Sequence, residues 1–139
     1  MGLTMSNRDD IINKLKSSGV SPTSQRVEIA QALFARPQHL SAEQILQMVN
    51  EESSSKASKA TVYNTLGLFA KKGLIKEVIV DPSKVFYDST ASDHFHFYNT
   101  DTGELTDIPA DAINIDNLPE LPEGTESTGL EVIVRIKNS

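Results

Sequence analysis

Apolar residues recur at helical spacing through the first half of the chain and alternate with polar ones through much of the second. From Arg8 to Ser17, Ile11, Ile12 and Leu15 mark one face of a helix that Gly19 stops. A second helix begins near Thr23 or Ser24, after Pro22, and turns Val27, Ala30, Leu33 and Phe34 inward until Arg36-Pro37 ends it. Ser41-Ala-Glu-Gln44 has the form of a capping box, with the serine oxygen offered to the Gln44 amide, and Ile45, Met48 and Val49 continue a third helix. Glu51-Glu-Ser-Ser-Ser-Lys-Ala57 reads as a polar loop. A fourth helix, from about Lys59 to Lys72, carries Val62, Leu66, Phe69 and Ala70 on its buried stripe and stops at Gly73.

The period then changes. Leu74 to Val80, the turn Asp81-Pro-Ser-Lys84 and Val85 to Asp88 read as a β-hairpin directly behind a helix. Helices followed by such a hairpin have the layout of a winged helix-turn-helix, whose last helix enters the major groove of DNA. The outward positions of the fourth helix suit that use: Ser58, Lys59, Thr61, Tyr63, Asn64 and Thr65 offer short donors and acceptors, one aromatic ring and one cation. On composition alone the same positions fit an ordinary solvated face, and the hairpin tips the balance. Lys71, Lys72, Lys76 and Lys84 would then meet phosphates.

Beyond Ser89, strands are predicted at His94 to Asn99 and Glu104 to Ile108, joined by the turn Thr100-Asp-Thr-Gly103. Pro109 to Asp116 has room for a helical turn, and the two prolines of Leu118-Pro-Glu-Leu-Pro-Glu-Gly124 make a rigid connection. Leu130 to Lys137 alternates, with Leu130, Val132, Val134 and Ile136 on one face of a last strand. The expected architecture is therefore α+β: an N-terminal winged helix-turn-helix over residues 1–88, then a small C-terminal α/β dimerisation and metal-sensing domain over 89–139. About fifty residues with three strands bury too little apolar surface to stand alone, so this module is expected to pair with its copy in a homodimer.

Charge sharpens the division. Through residue 80 there are ten Lys and Arg against seven Asp and Glu, or +3; from Asp81 onward there are three against twelve, or −9, and the two sum to the chain's −6. A basic module joined to an acidic one suggests different partners, nucleic acid for the first. The chain has no cysteine, which excludes disulfides, thiol catalysis, thiolate haem ligation and structural zinc of the cysteine type. Any metal must use nitrogen and oxygen donors. No apolar run is long enough to span a bilayer and the N-terminus lacks a signal peptide's apolar stretch, so a cytoplasmic protein with no membrane partner is expected.

Two of the three histidines, His94 and His96, stand in a His-Phe-His segment that an extended strand turns to one face, with Phe95 and Phe97 on the other. The third, His39, precedes the third helix. Alone, each has a bland reading as a structural or solvated histidine.

Taken together, Ser24-Gln-Arg26, His39-Leu-Ser-Ala-Glu43, Ser58-Lys-Ala-Thr-Val-Tyr-Asn-Thr-Leu66 and Asp93-His-Phe-His96, in this order, resemble the ferric uptake regulator superfamily, over a stretch from about Gly19 to Lys137. Finer features look like its iron response regulator branch: Thr61-Val-Tyr-Asn-Thr-Leu66, Tyr87-Asp88 after the wing, Leu118-Pro-Glu-Leu-Pro-Glu-Gly124, the terminal Val132-Ile-Val-Arg-Ile-Lys137, and the lack of Cys-x-x-Cys pairs. The resemblance implies a homodimeric, metal- or haem-responsive transcription factor acting on a palindromic double-stranded operator and controlling iron, metal or peroxide-response genes. Carried over by position, its regulatory site falls on His39 at the start of the third helix, Asp88 at the end of the wing, and His94, His96 and Asp107, with Glu104 or Asp93 as substitutes for Asp107. The tyrosine that meets a base falls on Tyr63, with Arg26, Ser58, Lys59, Thr61 and Asn64 around it.

Such a donor set suits one divalent ion per subunit, Fe(II) or Mn(II), with Zn(II) an in vitro substitute. Haem is the alternative signal, but the branch's run of three histidines is interrupted here by Phe95. The rival from another class is a small metal-dependent enzyme, a hydrolase or dioxygenase. Against it stand ligands split between two modules, no evident acid, base or oxyanion group, and little chain to wall a pocket.

Overall fold

Ten residues from Arg8 to Ser17 form α1, opened by the Asn7 side chain, which accepts the Asp9 amide proton at 2.8 Å in a computed structural model that describes residues 7–52, 56–90 and 95–139. Gly19, at a φ of 79°, closes it: the Gly19 amide donates to Lys16 O and the Val20 amide to Leu15 O. Helix α2 (Ser24–Phe34) is capped by Thr23. Its last carbonyls are taken up by Gln38, whose Nε2 donates to Ala32 O at 2.8 Å and Leu33 O at 3.2 Å.

The next element differs from expectation. His39 does not begin a helix; it begins a strand, β1 (His39–Ser41), and α3 (Ala42–Glu52) follows. Three residues are too few for any periodicity to show, and the strand exists because its partner, far along the chain, supplies the hydrogen bonds. The capping box is reciprocal: the Gln44 amide donates to Ser41 Oγ at 3.2 Å and the Ser41 amide to Gln44 Oε1 at 2.9 Å.

Helix α4 (Lys59–Lys71) is held at its start by two side chains. Ser58 Oγ accepts the Thr61 amide proton at 3.1 Å. Asn50, at the end of α3, grips the backbone of Ala57 from both sides, accepting its N–H at 2.8 Å and donating to its C=O at 3.2 Å. Gly73, at a φ of 75°, ends the helix. Val62, Leu66 and Phe69 pack with Ile11, Leu15, Val27, Ile29, Leu33 and Ile45 into one nearly solvent-free core. Thr65, read from the sequence as outward, joins that buried face at 5% exposure, and Ala70 is only half-buried. Thr65 is three residues from Val62 and beside Leu66, so a stripe about 100° wide takes it in.

Strands β2 (Lys76–Asp81) and β3 (Lys84–Asp88) form the hairpin, and β1 joins them in the order β1-β3-β2. The turn is set by Asp81, whose Oδ1 accepts both the Ser83 amide at 2.8 Å and the Ser83 hydroxyl at 2.7 Å.

The chain divides into two compact units, Met1–Ala91 and Ser92–Ser139. In the second, β4 (Phe95–Asn99) is central, with β5 (Leu105–Ile108) antiparallel on one side and β6 (Ile133–Ile136) parallel on the other. The last strand is shorter than its alternating pattern: it pairs from Ile133 opposite His96 to Ile136 opposite Asn99, where β4 ends, and Leu130 to Val132 lie outside it. Asn99 shapes the turn after β4, its Oδ1 accepting the amides of Asp101 at 2.9 Å and Thr102 at 3.1 Å. The helical turn expected after Pro109 is a single 3-10 turn, Ala110–Ala112.

Phe69 is fully buried at the centre of the first unit's core. Phe69→Ala is expected to lower unfolding stability by about 3–5 kcal/mol, read as a drop in urea midpoint at unchanged slope.

Candidate functional site

In the first unit, antiparallel pairing of β1 with β3 sets His39 directly opposite Asp88. The ladder runs on past the pair, with the Ser89 amide donating to Gln38 O at 3.1 Å and the Gln38 amide to Ser89 Oγ at 3.2 Å. Register is thereby fixed at the position that matters. Asp88 is buried, at 1% exposure, and its Oδ1 accepts the Thr90 amide proton at 2.8 Å. Burying a carboxylate is costly unless hydrogen bonds compensate, so this side chain is aimed as well as buried.

The second unit repeats the arrangement. Antiparallel pairing of β4 with β5 sets His96 opposite Asp107, with His96 Nε2 3.4 Å from Asp107 Oδ1. His96 is buried at 3% exposure while Asp107 is exposed, and the His96 amide is held by Val132 O at 3.1 Å. Phe95 and Phe97 alternate to the other face of β4. Glu104, one of the proposed substitutes, is exposed just before β5. His94, proposed as the partner ligand to His96, lies outside the described residues, as does Asp93.

Each unit thus presents one imidazole and one carboxylate as cross-strand neighbours. Among the described residues, the histidine and acidic side chains suited to an ion are His39 and Asp88 in the first unit and His96 and Asp107 in the second. Nitrogen and oxygen donors in equal number form a borderline set that fits Fe(II), Mn(II) or Zn(II) and offers nothing to a thiophilic ion.

The proposed DNA contacts are all in the first unit. Tyr63 and Asn64 are exposed on α4, and the Lys59 ammonium lies 5.6 Å from the centre of the Tyr63 ring, a cation–π distance. Ser58 and Thr61 start the helix, their hydroxyls 2.9 Å apart. Both therefore have a structural task beside any contact with phosphate. Arg26, half-buried on α2, donates through Nη1 to Ser21 O at 3.1 Å.

Sequence reasoning missed three residues that position these groups. Gln38 ties the end of α2 to the strand carrying His39, and Asn50 fixes the approach to α4. The third is Tyr87 on β3, opposite Glu77 on β2 and Leu40 on β1. An amide beside a helix end is the only sequence signal for the first two; Tyr87 stood out only as part of the Tyr87-Asp88 pair in the family resemblance, with no sign of its partners.

The model of the Ferric uptake regulator family matches residues 17–131. Over 99 residues the chain is 33% identical to the "Peroxide operon regulator" of Bacillus subtilis, covering 71% of this chain and 68% of that protein. Over 100 residues it is 31% identical to the "Peroxide-responsive repressor PerR" of Staphylococcus saprophyticus, covering 72% and 67%. Its fold is that of the ferric uptake regulator from Pseudomonas aeruginosa solved with manganese, at a TM-score of 0.68 and 24% identity over 91% of this chain and 96% of that one. The chain belongs to the ferric uptake regulator family. It is a metal-responsive, DNA-binding transcriptional regulator that works as a homodimer, and not an enzyme. No helix among the described residues is long and apolar enough to cross a membrane.

Burial holds the Tyr87 phenol above its ordinary value of 10.0, aided by the nearby Glu77 carboxylate and Tyr63 phenol. A raised acid pKa means that the folded state keeps its proton longer than the unfolded chain. The resulting stabilisation is complete below pH 10 and is lost as pH rises through the folded value. Tyr87→Phe should therefore lose stability less steeply than the parent between pH ~9 and ~11 in parallel urea unfolding series.

Proposed function

We propose that one divalent ion per subunit, Fe(II) or Mn(II) with Zn(II) as an in vitro substitute, takes ligands from both units and so sets the affinity of the dimer for its operator. The ligand set is His39, Asp88, His94, His96 and Asp107. What carries the reading is the repeated pairing of histidine with aspartate across strands, once in each unit. Two bidentate fragments on separate units give an ion a reason to prefer one relative arrangement of those units, and only such a preference lets a ligand shift a conformational equilibrium. That arrangement in turn governs the spacing of two α4 helices, which must match palindromic half-sites roughly 34–36 Å apart.

In this reading residues 1–88 hold DNA through Arg26, Ser58, Lys59, Thr61, Tyr63 and Asn64, and residues 89–139 dimerise and sense the metal. The protein acts in the cytoplasm. Its targets are genes of iron or metal homeostasis or of the peroxide response, the latter supported by relatives named as peroxide-responsive repressors. Within the family the chain stands near the iron response regulator branch, as Thr61-Val-Tyr-Asn-Thr-Leu66 and the absence of cysteine suggest. A bare ion is favoured over haem as the signal, because the residue interrupting the histidines, Phe95, alternates to the face opposite His96.

Two measurements test this. A gel-shift titration with Fe(II), Mn(II) and chelator should show operator affinity changing at least about tenfold between chelator and metal, and His96→Ala should remove the change while leaving the circular dichroism spectrum intact. Equal affinity in all conditions would sink the metal reading. Separately, Tyr63→Ala or Asn64→Ala should cost about 1–3 kcal/mol at the operator and little on random DNA, whereas Lys59→Ala should weaken both and flatten the salt dependence.

A further inference from the structure

Gly67 lies in the interior of α4, between Leu66 and Leu68 and well inside the span Lys59–Lys71. A glycine inside a helix is destabilising relative to alanine, because its backbone loses more freedom on folding and it brings no side chain to pack. The fold itself does not call for one here. Gly19, Gly73, Gly103, Gly124 and Gly129 have the positive φ that favours glycine, and Gly67 does not. It is exposed, and apart from its chain neighbours and the helix backbone a Cβ at this position would meet no described atom within 4 Å. Neither backbone conformation nor crowding among the described residues keeps a side chain out.

Its place on the helix points outward for the reason. Ala60, Asn64, Gly67 and Lys71 follow one another at i, i+4, i+7 and i+11, with Tyr63 beside Asn64, and all five are exposed. This face runs from a small residue, through the ring and amide of the proposed base contacts, to a residue with no side chain and then to a cation. Gly67 stands about 6 Å along the axis from Tyr63, and the major groove is about 12 Å across, so a helix with Tyr63 and Asn64 over the groove floor reaches the rim about one turn later. The rim is sugar and phosphate. A helix with its side chains is itself about 10–12 Å wide, which leaves little room at the rim for a side chain and a DNA strand together.

We propose that the sugar–phosphate backbone of the operator crosses α4 at Gly67, passing against the helix backbone where no side chain holds it off, with Lys71 one turn on to meet phosphate. This rests on the reading of α4 as the DNA-reading helix and adds a contact that depends on a missing side chain. Close passage also shortens the path from phosphate to Lys71, and attraction at contact distance is the part that salt screens least. The glycine thus weakens the helix where it strengthens the complex.

Gly67→Ala and Gly67→Gln in the full chain, beside the parent and Tyr63→Ala, test this. Gel shifts use a duplex that the parent selects from a random-sequence library and an unselected duplex, with Mn(II) or chelator, whichever gives the parent its tighter complex; urea unfolding is followed without DNA. Neither Gly67 variant changes the charge, and alanine and glutamine both favour helix more than glycine. The expected result is a raised urea midpoint for Gly67→Ala together with weaker binding, about tenfold for alanine and more for glutamine, on both duplexes and at an unchanged salt slope. A glycine that served only the fold would move stability and leave binding alone. Unchanged affinity in both Gly67 variants, while Tyr63→Ala weakens binding to the selected duplex, overturns the crossing and leaves the DNA-reading helix intact. A loss confined to the selected duplex puts a base rather than the backbone at Gly67 and overturns it as well. A lowered urea midpoint for Gly67→Ala gives the glycine a structural task and does the same. Unchanged affinity in all three variants overturns both readings.

Discussion

Strand register is the constraint on which the proposed chemistry depends. Side chains alternate with a period of two, so a slip of one residue would carry a histidine to the opposite face of its sheet and leave its aspartate without it. Two antiparallel pairings must therefore be right at once, His39 with Asp88 and His96 with Asp107. In the first, register is held from outside the strands, by Ser89 and Gln38 beyond the pair and by the Asp81 turn at the far end of the hairpin. In the second it is held by the Asn99 turn on one side and by the parallel partner β6 on the other.

In the proposed reading the same strand ties the metal ligands to the DNA-reading helix. β3 ends in Asp88, and the residue before it, Tyr87, packs in the core that α4 shares while its phenol feels both Glu77 and Tyr63. Helix α4 is thus held from its buried side by Val62, Leu66 and Phe69 and from its start by Ser58 and Asn50. In the proposed reading, an α4 face fixed by a core that Tyr87 shares is coupled through that packing to the strand that carries Asp88. A change imposed at that carboxylate therefore has a rigid body to act on.

Much of this was legible in the sequence where local signals are strong. The spacing of Ile11 and Leu15, the capping box at Ser41, the glycine stops at 19 and 73 and the Pro-Ser turn each specify structure within a few residues, and the helices and the hairpin stand where those signals put them. What was not legible depends on distant partners. The strand at His39 exists only because β3, some fifty residues away, pairs with it, and the span of β6 follows its pairing with β4. Thr65 was misread because a helix face is wider than its strictly apolar positions. The histidines were visible as residues, but their aspartate partners stood out from the other acidic residues of the second half only through the family pattern.

The uneven charge of the chain has a physical consequence for encounter with DNA. A protein with a net charge of −6 is repelled as a whole by the phosphate backbone, yet its first 80 residues carry +3 and the rest −9. Beyond a Debye length of about 8 Å at physiological salt the repulsion is largely screened, and at contact distance it is the local charge that the phosphates meet. Such a separation disfavours approach by the acidic unit and favours approach by the basic one, so the long-range field selects orientation rather than supplying affinity. In the proposed reading, affinity then comes from the close contacts of α4 and the wing, and from the second copy. On the same proposed reading, dependence on two correctly spaced helices is what leaves the complex open to control by an ion.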